Sequence, residues 1–432
     1  MVLKIEKLVY GGDGLGRLPA EDGTRQKAVF LPFVLEQEEV EAELCDDRGQ
    51  FARARLLRVL TPAPARVEPH CPYFRDCGGC HYQHIAYEHQ LAAKAAIFRE
   101  TLRRLGRVEW SGPIETHAAA EWHYRNRTRM RVMRQPVFSL AYSRFGSPEL
   151  LAVEQCPISS PLINRSLAAI NRLGRAGEFP RDISEVEFFA DADDAQLILE
   201  LHCKALPPRK TLQQFYESLR ALIPQAAALA AFASAGAHQS SSAALVLGEP
   251  ALLYRAAGQR YRVSPGSFFQ TNRFLTGELI SLVTERAGGA LALDLYSGVG
   301  LFSLPLARSF AKVIAVESAK PSATDLKRNA PHNVTVAAEP VEWFMAHFEP
   351  KQLAPEYVVV DPPRAGLGTA VARRLARLGA QGITYVSCDP ATLARDLQVL
   401  LEGGYAVESV HLVDLFPQTF HIESVVKLRA QR

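Results

Sequence analysis

The strongest constraint on the fold is a rhythm in the last part of the chain. Short apolar runs, each ending in a reactive or polar side chain, alternate with stretches of helical spacing. "LALDLYSGVG" carries Asp294 and turns at Gly298 and Gly300, "KVIAVES" ends at Glu317, "YVVVDPP" reaches Asp361, and "GITYVSCDP" reaches Cys388. Strands alternating with helices make a parallel sheet wound on both faces. Ligands of such sheets lie beyond the carboxyl ends of the strands, where these side chains fall. The pattern predicts an α/β, Rossmann-like, doubly wound and mostly parallel domain over 256–432. "YAVESVHLVDLF" and "HIESVVKLRA" are expected to close it as a hairpin.

Upstream the rhythm changes. In 1–62, "KIEKLVY", "KAVFLPFV", "EEVEAELCD" and "ARARLLRVL" read as short strands of a small β-barrel. A Pro-rich linker, "TPAPARVEPH", follows. The segment 63–255 reads as an α+β central domain. In it "AYEHQLAAKAAIFRETLRRLG" places Leu91, Ala95, Phe98, Leu102 and Leu105 at helical spacing. "EVEFFADADDAQLILELHCK" reads as a hairpin and "RKTLQQFYESLRALI" as a helix. The longest apolar tract, "AAALAAFASAGAH", is broken by Ser and Gly, and no run is long enough to span a bilayer. The first residues lack the apolar core of a signal peptide. A cytoplasmic protein with no membrane partner is expected, and no obligate protein partner is evident.

A net charge of +3 neither demands nor excludes a nucleic-acid partner, so the distribution of charge matters more. In "HYRNRTRMRVMR", Arg125, Arg127, Arg129 and Arg131 alternate. On a strand they share a face, as a phosphate track or as a solvated sheet face.

The seven cysteines are unevenly spaced. Cys45 and Cys203 lie in strand-like runs and read as core. Cys71, Cys77 and Cys80 cluster in "CPYFRDCGGC", and Cys156 stands in "EQCPIS". The odd count argues against a disulfide framework. Three close cysteines and a distant fourth suit an iron–sulfur cluster better than zinc, whose structural sites favour two close pairs. The Cys-x3-Cys-x2-Cys run of a radical enzyme is absent.

The two glycines of "DLYSGVG" let a ligand approach the backbone, and Glu317 is placed to accept hydrogen bonds from a ribose diol. That spacing suits NAD as well as S-adenosylmethionine, but the third glycine of G-x-G-x-x-G is missing. The prolines after Asp361 make a rigid turn that holds its carboxylate at the sheet edge. Dehydrogenases do not usually need this turn, whereas methyltransferases acting on bases often carry a related one. Cys388 belongs to the same rim. Glu423, in "FPQTFHIESVV", begins the last strand and is expected to face it. A thiolate, an acid and a methyl-donor pocket fit methylation of uracil at carbon 5. The thiolate adds to carbon 6, carbon 5 becomes nucleophilic and takes the methyl group, and a base removes the carbon-5 proton so that the thiolate leaves.

At these residues the chain resembles the RNA uracil-C5 methyltransferases that make 5-methyluridine in tRNA and large-subunit rRNA. The resemblance covers almost the whole chain and implies a class I methyltransferase domain. "SCDPATLARDL" implies Cys388 as nucleophile, and "FPQTFHIESVV" implies Glu423 as base. "DPPRAGL" places Asp361 beside cofactor and base, with Arg364 near the uracil. Gln270 in "SFFQTN", Tyr296 and Glu317 are implied as ligands of S-adenosylmethionine. Where the family often has Asn-Phe after the cofactor loop, this chain has Leu301-Phe302. "CGGCHYQHIAYEHQLAAK" and "YRNRTRM" resemble the family's iron–sulfur and RNA-binding segments, and 1–62 resembles a TRAM, or OB-like, RNA-binding barrel. The resemblance implies a [4Fe–4S] cluster on Cys71, Cys77, Cys80 and Cys156, and an RNA partner, rRNA before tRNA. Two alternatives stay open: a methyltransferase for an exocyclic base nitrogen, and an RNA-binding protein with an inactive methyltransferase domain.

Overall fold

A computed structural model describes residues 1–18, 26–233, 242–285, 287–349 and 354–431. The end of the Ala-rich tract, 234–238, lies outside the described residues. The chain divides into two compact units. The first holds Met1–Glu100, Ser143–Leu151 and Phe416–Ile422, and the second holds the remainder.

In the first unit, strands Val2–Leu8, Asp13–Leu18, Lys27–Pro32, Phe51–Thr61 and Glu39–Asp47 pair in that order and close into a barrel. Their sequences alternate apolar and polar, so Leu3, Ile5, Val29, Leu31, Val40 and Ala52 fill the interior. Closure removes the unpaired edges that so small a sheet would otherwise expose. The strand Asp13–Leu18, Gly-rich and without alternation, is the one that periodicity does not single out.

The cysteine segment of this unit has turns rather than regular structure. The Cys71 amide donates to Gln83 Oε1 at 3.0 Å, the Phe74 amide to the Cys71 carbonyl at 3.1 Å, and the Gly78 amide to the Ser143 carbonyl at 3.0 Å. The amides of His81 and Tyr82 both donate to the Gln418 carbonyl, and the Gln90 side chain brackets Gln418 from both sides. The loop Phe416–Ile422 is thus anchored next to Cys80.

In the second unit, six strands run side by side in the order Leu245–Gly248, Ala226–Ala233, Leu197–Cys203, Ile183–Ala190, Arg127–Met133 and Ser139–Ser143. The expected hairpin (185–204) is present as strands Ile183–Ala190 and Leu197–Cys203, and the expected helix as Arg209–Leu222. A second sheet has the order Val334–Ala337, Phe310–Val316, Gly289–Leu295, Tyr357–Val360, Gly382–Ser387, Glu423–Ala430, Tyr405–Val413, Ile114–His117. The first five strands are parallel, and Glu423–Ala430 is antiparallel to both of its neighbours. The central strands read as near-continuous apolar runs because helices cover both faces: Val358, Val359, Val360, Ile383 and Tyr385 are fully buried. The edge strand Ile114–His117 is supplied from far upstream and pairs parallel to Tyr405–Val413. Among the described residues, no helix is long and apolar enough to cross a membrane.

Candidate active site

The register of the second sheet carries the candidate residues to one rim. Leu295 pairs with Val316 and Val360, Val360 with Tyr385, and Ser387 with Ser424. Tyr296, Glu317, Asp361 and Cys388 each follow their strand at its carboxyl end. Glu423 opens the antiparallel strand, so it arrives at the same end from the opposite direction. The ladder ends at the Ser387–Ser424 pair, and Cys388 and Glu423 are the residues next to it in the chain; the charge of Glu423 acts on the Cys388 thiol.

Local chemistry fixes the thiol. Asp389 caps helix Pro390–Glu402, its Oδ1 accepting from the amides of Ala391 and Thr392 at 3.0 and 2.9 Å. Cys388 is therefore the hinge between a buried strand and a capped helix, and its side chain is only partly buried. Burial, reinforced by the charges of Glu423 and Asp361, pushes the thiol up to about 12, against the opposing charge of Arg364. Glu423 is buried, and burial followed by the Asp361 charge holds it well above the usual carboxylate range, with Arg364 again opposing. Asp361 is itself raised to about 7 by burial and by Asp294. The thiol and two carboxyls form one crowded set in which few groups ionise together, and the exposed Arg364 supplies the counter-charge.

The turn bearing Asp361 and Arg364 is held from beneath by Asp396. This buried carboxylate accepts from the Leu367 amide at 2.6 Å and the Tyr385 hydroxyl at 2.8 Å, and pairs with Arg395. Gly366 closes the turn with φ +74°, and a Cβ there would stand 2.5 Å from Asp396 Oδ2. Sequence reading passed over Asp396. Its signal was a charge on the apolar face of a helix, among Leu393, Leu397 and Leu400.

The strand-end pocket fits a cationic nucleoside ligand by its donor set. Glu317 accepts from the amides of Gly298 and Ala319 at 2.9 and 2.5 Å, which aims its carboxylate at the turn. A Cβ on Gly298 would meet nothing within 4 Å, so the backbone there faces open space. Asp294, bonded to the Ser303 hydroxyl, keeps Oδ1 buried without a hydrogen-bond partner. Tyr296 stands at φ +62° with its hydroxyl donating to Glu342 at 3.3 Å. Gln270 is buried, and its segment is docked through the Asn126 amide to the Thr271 carbonyl and through Asn272 to the Leu415 carbonyl. Leu301 is buried, and its carbonyl accepts from the Tyr261 hydroxyl at 3.0 Å.

Two family models match this chain: "tRNA (Uracil-5-)-methyltransferase" over residues 86–431, and the TRAM domain over residues 2–57. The chain belongs to the tRNA (uracil-5-)-methyltransferase family. The 23S rRNA (uracil(1939)-C(5))-methyltransferase RlmD of Salmonella typhi is 33% identical, over 99% of this chain and 95% of that one. The homologous RlmD of Pseudomonas entomophila is 32% identical, over 99% and 93%. An uncharacterized RNA methyltransferase of Aquifex aeolicus is 32% identical, over 99% and 98%. Among solved structures, the tRNA (uracil-54, C5)-methyltransferase of Pyrococcus abyssi, in complex with S-adenosyl-L-homocysteine, shares the fold at a TM-score of 0.77 and 22% identity, over 99% of both chains. The expected methyltransferase fold with an N-terminal TRAM barrel is therefore the fold of this family member.

The alternating arginines need correction in part. Arg127, its side chain 11% exposed, lies between carboxylates, with Nε at 2.5 Å from Glu187 and Nη2 at 3.3 Å from Glu200, and it also donates to the Ser267 carbonyl. Arg129 turns to the same Glu187 at 2.5 Å. Arg125 is partly buried just before the strand, with Nε lacking a partner. A buried guanidinium must be paired, so Arg127 serves the central sheet rather than a phosphate track. Arg129 and Arg131 reach solvent. Among the described residues no two cysteines are joined in a disulfide. Cys203 is core as expected, whereas Cys45 is exposed. Cys156 lies in the second unit, where the Asn164 side chain accepts from its amide at 2.8 Å and donates to its carbonyl at 3.0 Å.

Proposed function

We propose that this chain methylates carbon 5 of a uridine in large-subunit ribosomal RNA, in the cytoplasm, through a covalent adduct on Cys388. The observation that carries the reading is that Cys388 and Glu423 flank the last ladder pair at one rim, where Asp361 and Arg364 act on both of them. When bound, S-adenosylmethionine supplies the methyl group, and Gln270, Tyr296, Glu317 and Asp361 are the residues that would hold it. In the free protein the Cys388 thiol is protonated at neutral pH, so attack waits on substrate. Arg364 favours the thiolate, and a uracil seated against it has an electron-poor carbon 6 to receive the sulfur. Glu423, in its ionised form, takes the proton from carbon 5 after methylation. The Cys388–carbon 6 bond then breaks, and the electron pair returns to sulfur.

Cys71, Cys77, Cys80 and Cys156 would hold the [4Fe–4S] cluster. Four cysteine thiols form a donor set suited to it, and three of them lie on a turn-rich segment. The reaction moves no net electrons, so we assign the cluster to folding and RNA positioning. The barrel of 1–62, the central 63–255 segment and the 256–432 methyltransferase domain would share RNA binding and chemistry. RNA carrying 5-fluorouridine tests the reading. The fluorine cannot leave as a proton, so a protein–RNA adduct should persist on a denaturing gel and vanish in Cys388→Ala. No adduct with rRNA, under conditions where the cofactor binds, would overturn it.

A further inference from the structure

Away from the rim, on the face of the second sheet, three side chains converge that the methyl-transfer reading does not use. His411 lies on Tyr405–Val413 directly opposite Glu115 on the edge strand, and His117 follows two residues along on the same face. His117 Nε2 is 3.2 Å from His411 Nδ1, and His411 Nδ1 is 3.3 Å from Glu115 Oε2. All three ligand atoms lie within 4.8 Å of one another. The far nitrogen of each ring is occupied: His117 Nδ1 meets Glu278 Oε1 at 2.9 Å, and His411 Nε2 meets Ser409 Oγ at 2.8 Å. An ionised carboxylate only accepts, so His117 carries its proton on Nδ1 and presents a lone pair at Nε2. With Ser409 accepting from His411 Nε2, the Nδ1 lone pair and the Glu115 oxygen face that same point.

We propose that His117, His411 and Glu115 bind a divalent transition-metal ion of the zinc class. Ligands about 2.0–2.1 Å from a tetrahedral ion stand roughly 3.3 Å apart, which is the spacing of both measured edges. The Glu278 carboxylate on His117 Nδ1 is the usual outer partner that orients a metal-bound imidazole. The fourth position opens on a cleft of about 1100 Å³, where Glu278, Glu285, Glu356 and Glu408 outweigh Lys427 and Arg429 in charge. A second such trio among the described residues, Glu187, Glu200 and His202, is a contrast, because Arg127 and Arg129 already neutralise its carboxylates. The ion would join the edge strand to its neighbour and, through Glu278, to helix Thr276–Thr284.

The test is a titration of the full chain, purified anaerobically with its cysteine-held group in place, with cobalt(II). One equivalent should bind with visible d–d bands and no sulfur charge-transfer band, and His117→Ala should abolish the signal. Glu115 and Glu278 are more than half exposed, so Glu115→Gln and Glu278→Gln should leave folding intact. Glu278→Gln should weaken binding about 10–100-fold, and Glu115→Gln by at least as much. A wild-type spectrum identical to that of His117→Ala, or unchanged affinity in Glu115→Gln, overturns the site and leaves a plain hydrogen-bond chain from Ser409 through His411 to His117.

Discussion

Replacing Glu423 with Gln separates two effects that the geometry assigns to one carboxylate. Glu423 is close enough for its charge to act on the Cys388 thiol. For full charges roughly 6 Å apart, an effective dielectric constant of ~20 gives about 3 kcal/mol, equivalent to about two pKa units on Cys388. The sign depends on pH. Glu423 is raised well above the usual carboxylate range. Below that raised value it is neutral, and Gln changes nothing electrostatically. Above it the anion opposes the thiolate, a penalty that Gln removes. Alkylation of Cys388 by iodoacetamide, followed by mass spectrometry of its peptide, should therefore coincide for wild type and Glu423→Gln at low pH. The profiles should diverge as pH rises, the variant reacting up to ~100-fold faster. With unmodified RNA the same variant should accumulate the covalent adduct, its resolution slowed by about 10²–10⁴-fold as for loss of a general base. Superimposable alkylation profiles across the whole pH range would refute the proximity of the two groups, and rapid release of product would refute the base.

Arg127→Gln leaves Glu200 without its guanidinium in the central sheet and should cost about 3–5 kcal/mol, read as a lower urea midpoint. Arg131→Gln, on an exposed side chain, should leave that midpoint in place and reduce the slope of log K against log salt for RNA by ~1. Gly366→Ala forces a left-handed φ and a clash with Asp396, costing on the order of 1–3 kcal/mol, and should slow methyl transfer more than it weakens RNA binding. Cys77→Ser should lose anaerobically incorporated iron, measured by metal analysis, while Cys45→Ser retains it.

The strand ends were legible because two independent signals agreed. Continuous apolar runs such as "YVVV" marked buried parallel strands, and a polar residue at each end marked the rim. Periodicity could not supply the strand order. The edge strand Ile114–His117 has four residues and little burial of its own, so nothing local ties it to Tyr405–Val413. It pairs there because its backbone groups complete that edge. The strand Asp13–Leu18 escaped for a related reason: a glycine at every second position removes the alternation, and only barrel closure makes it a strand.

The same limit explains the arginines. Alternation put Arg125, Arg127, Arg129 and Arg131 on one face; the strand Arg127–Met133 holds the last three, and which face is wet is decided by the neighbouring strand. Register sets Glu187 opposite Arg129 and beside Arg127, and sets Glu200 opposite Glu187 on the strand beyond. Two buried carboxylates so close together need a guanidinium more than a phosphate does, because an unpaired buried charge costs more than a surface contact returns. Asp396 follows the same logic in reverse. A carboxylate on the apolar face of a helix looks like an error until the turn it holds, from Asp361 to Leu367, is seen to need a fixed acceptor for the Leu367 amide and the Tyr385 hydroxyl. Charges that break the local pattern are thus the residues to follow across the sheet, since each marks a place where a distant element has been built to meet it.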